Sequence, residues 1–154
     1  MGMYTELHLN SEIRKDTPEN VLRVLRYMLS TSEEEAAAIS FEKPDHPLFG
    51  ETRWRFMLLS DSYYFDADTH STLRFDDIAK SHYLCIRCNL KNYDREIAKF
   101  CDWVAPYLDK QDGEFLGFSR YETDEWPTLL FYGRGKDGIA RVRRVETIPK
   151  DGGA

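Results

Sequence analysis

The sequence has no apolar run approaching the ~18 residues that a membrane-spanning helix requires. Its first residues, Met1 to Glu12, alternate polar and apolar and lack the basic-then-apolar plan of a signal peptide. Cysteine is scarce. Cys85, Cys88 and Cys101 make an odd set without the spacing of a secreted disulfide framework, which implies reduced thiols and a cytoplasmic location. Positive charge is also in deficit, with 21 Lys and Arg against 27 Asp and Glu and a net charge of −6. That balance argues against nucleic-acid binding through bulk charge. Gly-x-Ser-x-Gly, HExxH, Walker and Rossmann signatures are all missing. No complete catalytic set stands in the chain, so neither a cofactor nor a metal is expected.

What is present is enough apolar material for a core. Hydrophobic residues make up 42% of the 154, a share that decides against disorder and for one domain, residues 1–154. Tyr4 to Arg14 alternates, with Leu7, Leu9 and Ile13 on one side and Glu6, His8, Asn10 and Glu12 on the other. Thr17 and Pro18 predict a helix start, and Val21, Leu22, Leu25, Met28 and Leu29 form its apolar stripe up to about Ser30. Residues 31–50 are irregular, a loop or insertion in which Ser32 and the following glutamates and alanines predict a helical turn or two.

Arg53 to Leu59 alternates through Trp54, Phe56 and Leu58 and is expected as a strand, followed by short extended pieces at Ser62 to Phe65 and Leu73 to Phe75. His82 to Leu90 is a strong strand, with Leu84, Ile86, Cys88 and Leu90 on one face and Tyr83, Cys85, Arg87 and Asn89 on the other. A second helix follows Asn92 or Asp94, carries Ile97, Phe100, Cys101, Val104 and Leu108 inward, and is expected to kink or end at Pro106. Strands are expected at Phe115 to Tyr121, Thr128 to Gly133 and Ile139 to Val145, the last two joined by a turn at Lys136 to Gly138. The tail 149–154 is expected to fray.

The fold class is therefore α+β: a mostly antiparallel sheet with two helices on one face. The spacing of its elements suggests a duplicated βαββ, ferredoxin-like arrangement. Both helices would cover Leu7, Leu9, Leu84 and Ile86. The opposite face would stay open and present Glu6, His8, Asn10, Arg87 and Asn89, a polar platform for a small ligand or peptide. Arg141 and Arg143, from a cluster with Arg134, Lys136 and Arg144, add a candidate contact for an anionic ligand or an acidic partner.

Other motifs carry less chemistry. Cys85 and Cys88 lie three apart on a strand, so they point to opposite faces and no second pair completes a metal site. Asp66-Ala-Asp68 opens like a calcium loop, but Ser71 and Asp77 stand where the loop needs Gly and Glu. His70-Ser-Thr72 matches half of a two-histidine phosphoesterase, and no second motif supplies the partner. Gly133 to Gly138 has phosphate-loop spacing but links two strands rather than opening a helix.

Met3-Tyr-Thr-Glu-Leu7, Lys15-Asp-Thr-Pro-Glu19 and the helix Val21 to Met28 resemble small uncharacterised proteins encoded by phages and prophages, over roughly the first 30 residues. The resemblance implies an accessory role in an infected bacterium, such as interference with a host system, exerted in the host cytoplasm. The expectation is a non-enzymatic binding protein for a host protein or a small anionic ligand such as a nucleotide. One alternative is a small hydrolase or phosphoesterase using His8 with Glu6 or His70. The other is a homo-oligomer joined edge to edge through the Phe115 or Arg141 strands.

Overall fold

A computed structural model describes residues 3–148; the expected fraying of 149–154 lies outside them. In β1 (Thr5–Glu12) the alternation acts as anticipated, burying Leu7, Leu9 and Ser11 on one face and setting Glu6, His8 and Asn10 on the other. α1 (Glu19–Met28) buries Val21, Leu22, Val24, Leu25 and Met28. Each of these is worth about 1.5–3 kcal/mol in water removed from apolar surface. Thr17 does not cap α1. Pro18 occupies the cap position, its carbonyl accepts from the Val21 and Leu22 amides, and the Thr17 hydroxyl is buried without a partner among the described residues. α2 (Glu33–Ala37) is capped by the Ser32 hydroxyl, which accepts from the Glu35 amide.

The remaining elements are β2 (Thr72–Asp76), β3 (Ser81–Leu90), α3 (Glu96–Val104), β4 (Phe115–Tyr121), β5 (Thr128–Arg134) and β6 (Ala140–Glu146). They form one antiparallel sheet in the order β2-β3-β1-β4-β5-β6. β1–α1–β2 and β3–α3–β4 interleave so that the first four strands lie in the order β4-β1-β3-β2, and the β5–β6 hairpin extends the sheet beyond β4. α1, α3 and the segment Leu48–Phe49 share one core with Leu7, Leu9, Leu84 and Ile86. Among the described residues no helix is long and apolar enough to cross a membrane.

The doubled βαββ unit is not confirmed among the described residues, because Arg53 to Leu59 is not a strand. It is a series of turns ending in a 3-10 helix at Met57–Leu59. Trp54 packs instead, half-buried, among the rings of Tyr27, Phe41 and Phe49, at centroid distances of 5.7, 6.2 and 4.9 Å. Aromatic clustering thus meets the need for burial without strand pairing, and Phe56 is left 55% exposed. Ser62 to Phe65 is likewise turn, with Phe65 alone of these rings buried. The Phe115 strand is not an edge either: β4 is paired with β1 on one side and β5 on the other. The edges are β2 and β6.

β4 pairs with β5 across a bulge between Phe115 and Gly117, and the same Gly117 stands opposite Leu9 of β1. At Gly117 the backbones are so close that a Cβ would sit 1.8 Å from the His8 carbonyl oxygen. Only glycine fits there. Gly117→Ala should therefore cost about 3 kcal/mol, read as a lowered urea midpoint with an unchanged slope. An alanine variant of wild-type stability would show that β4 and β1 do not pair in this register.

Candidate functional site

The face of the sheet away from the helices is built from cross-strand rows. Register places Asn89, Glu6 and Arg120 side by side, and beside them Arg87, His8 and Phe118. Glu6 is bound twice: Oε1 lies 3.2 Å from His8 Nε2, and Oε2 accepts from Arg120 Nη2 at 2.9 Å. Its side chain is only 10% exposed. The His8 ring stacks on Phe118, with centroids 4.4 Å apart and planes 13° from parallel.

This part of the face is roofed, not open. The chain between Met57–Leu59 and β2 runs along β3 where β2 has ended. The Ser60 carbonyl accepts from the Asn89 amide, and the His70 amide donates to the Arg87 carbonyl. Arg87 Nε donates to the Asp68 carbonyl at 2.7 Å, and Asn89 exchanges side-chain bonds with Asp61 and Ser62. Phe65 is pressed onto this patch, with the Arg120 guanidinium 5.3 Å from its ring centre. The space left between Glu6, His8, Phe65, Arg87 and Asn89 is about 10 Å³, room for one water at most.

The expected platform thus divides. Glu6, His8, Arg87 and Asn89 meet, but with Glu6 and Asn89 buried, His8 half-buried and only Arg87 exposed, and their polar groups already engaged within the chain. Asn10 lies farther along β1, exposed, opposite Cys85. Arg141 and Arg143 are on β6, three strands from β1, or roughly 14 Å at ordinary strand spacing. They belong to a different surface. Within the basic cluster, alternation sends Arg141 and Arg143 to the face away from the helices, while Arg144 lines a hollow between α3 and β6. Arg141 pairs with Asp137 at 2.7 Å, whereas Arg143 has no ion pair among the described residues.

The unroofed part of the face is the half that carries β4, β5 and β6. Its register sets Phe115 opposite Phe131, Phe131 opposite Arg143, Phe118 opposite Leu129, and Leu129 opposite Val145. Phe115 and Phe131 meet edge to face at 5.6 Å. Phe115 remains 53% exposed and Val145 43%. The stem of Arg143 lies over Gly133, where a Cβ would come within 3.0 Å of its Cγ. Sequence periodicity missed this surface because the bulge before Gly117 breaks the alternation of β4. Only the aromatic content of Phe115 to Phe131 hinted at it.

Other candidates fall into place around the sheet. Cys85 and Cys88 do lie on opposite faces of β3, and Cys88 and Cys101 are buried and free. Burial pushes the Cys101 thiol up to about 12 and the Cys88 thiol higher still, so both are held protonated. The glycine-spaced segment after β5 is a hairpin turn, with Gly138 at φ +73°. A hollow of about 400 Å³ between Thr123–Thr128 and Glu146–Ile148 is lined by no histidine. No family model matches the chain, and neither a curated protein nor a solved structure matches it.

Burial lowers the His8 pKa below the ordinary imidazole value of 6.5. Arg87 and Arg120 act in the same sense and Glu6 opposes them. The unfolded chain therefore takes up a proton at a pH where folded His8 stays neutral. The stability involved is present above pH 6.5 and is lost as pH falls below it. His82 is lowered for the same reasons, by burial and then by Arg26. The urea midpoint should fall between about pH 7.5 and 5.5, and His8→Gln should flatten that slope, leaving the part due to His82. Parallel slopes for the two proteins would rule His8 out as the titrating group.

Proposed function

We propose that the chain is a non-enzymatic binding module whose partner, an acidic protein, docks on the β4–β6 half of the sheet. The observation that carries this reading is a row of apolar side chains on one sheet face, with Phe115 and Val145 exposed and Phe118, Leu129 and Phe131 half-buried beside them. Such a face is flat rather than concave, which suits a macromolecule better than a small molecule. Aromatic and arginine side chains are the residues enriched at protein interfaces. Arg143, and Arg141 once it exchanges Asp137 for a partner's carboxylate, would meet negative charge at the rim. The likeness of the first 30 or so residues to phage-encoded proteins supports a host protein as the partner class. The packed cluster around His8 gives the hydrolase reading no support. Its carboxylate is already bound to Arg120, and no substrate-sized space adjoins the imidazole.

The test compares wild type with Phe115→Ser/Val145→Ser and with Arg141→Glu/Arg143→Glu. A partner captured from bacterial lysate and then purified should bind the first variant at least about tenfold more weakly, because two rim-free apolar contacts are lost. The second variant should lose mainly association rate and salt dependence. Both should melt within about 3 °C of wild type, as exposed substitutions do. Unchanged affinity in both variants would refute the surface. Wild-type dimers that the first variant converts to monomers in light scattering would mean that a second copy, not a host protein, is the occupant.

A further inference from the structure

The turn that leads into α3 is closed by its own side chains. Asn92 Oδ1 accepts from the Ile97 amide at 2.9 Å, and Glu96 Oε1 reaches back to accept from the Asp94 amide at 2.7 Å. Between them Arg95 adopts a left-handed conformation, φ +59°. Glu96 itself is 1% exposed, and its second oxygen, Oε2, is buried with no hydrogen-bond partner among the described residues. A carboxylate oxygen removed from water and left unpaired is costly and calls for a counter-group.

Glu96 is not isolated from other acids. Glu51, which follows the 3-10 helix Pro47–Gly50, and Asp94 bring their carboxylates to the same place. One oxygen from each of Glu51, Asp94 and Glu96 lies within 4.8 Å of the others. The cations nearby are Lys99, whose ammonium pairs with Glu51, and Arg53. Lys99 satisfies one carboxylate of the three and donates nothing to Glu96. Oxygens bound to one calcium ion at 2.3–2.6 Å lie no more than about 5 Å apart, so a single ion can serve all three without rearrangement of the backbone.

We infer that Glu51, Asp94 and Glu96 form a binding site for a hard divalent cation of the calcium or magnesium type. Three carboxylates without nitrogen or sulfur select such ions over zinc or copper. The ion completes the coordination of Glu96 Oε2. It also ties the segment after Pro47–Gly50 to the first turn of α3, two parts of the chain that pack through α3 and otherwise share the Lys99–Glu51 pair. Lys99 is the built-in competitor for the site, since its ammonium occupies Glu51 when no ion is bound.

The experiment is calorimetric titration of the chelator-treated full chain with calcium chloride and, separately, magnesium chloride, to about 10 mM, alongside melting curves. The expected result is one site per chain for either ion and a rise in melting temperature with ion concentration. Glu96→Gln and Asp94→Asn keep the side-chain shape and should retain the wild-type circular dichroism while losing about tenfold or more in affinity. Lys99→Met should bind more tightly than wild type. Absence of heat and of any melting shift with both salts would overturn the site, as would binding that survives in both acid variants.

Discussion

β1 is the strand on which the other elements depend, because it is hydrogen-bonded along both edges and covered in part on both faces. One face seats Leu7 and Leu9 beneath the helices, and the other holds Glu6 between His8 and Arg120. For β4 to lie against it, Gly117 must have no side chain. Directly before that close approach lies the bulge in the β4–β5 ladder, and directly after it Phe118 lies on the face away from the helices, stacked on His8. Removing the close approach at Gly117 would disturb both the core and the surface, which is uncommon for a position contributing no atoms to either.

The sheet face away from the helices performs two different tasks on its two halves. Toward β3 it is an internal electrostatic cluster: Glu6 is charge-paired with Arg120 and in contact with the neutral His8 ring, Arg87 is held by a loop carbonyl, and Phe65 acts as a lid. An ion pair that is nearly out of water stabilises only when every lone pair is met, and here both oxygens of Glu6 are. Toward β6 the same face has neither lid nor neutralising network. The contrast arises from connection length. The long segment between α2 and β2 has chain to spare for folding over β3, whereas β4, β5 and β6 are joined by short links that leave nothing to cover them.

The sequence made the strands from Tyr4 and His82 legible, along with both helix stripes, because a period of two or of 3.6 is imposed by burial on one side. Periodicity also identified which face His8 occupies. It failed at Arg53 to Leu59, where Trp54, Phe56 and Leu58 alternate but the rings of Tyr27, Phe41 and Phe49 offer Trp54 a better berth than a strand partner. It failed again for the roof over Glu6 and Asn89, since nothing local in Asp61 to His70 records what lies beneath it. The separation of Arg141 from His8 followed from strand order, which no local pattern encodes. The acidic group of Glu51, Asp94 and Glu96 was hidden for the same reason: Glu51 is remote in the chain from the other two.

The cysteines have a practical consequence. Cys88 and Cys101 are sealed in the core and held as thiols, while Cys85 is half-buried on the face away from the helices, directly across from Asn10. Alkylating reagents act on thiolates they can reach, so under native conditions they will modify Cys85 ahead of the other two. The native chain thus offers one attachment point for a fluorophore or spin label on the sheet face away from the helices, with no engineered residue, from which the Asp61–His70 roof can be followed directly.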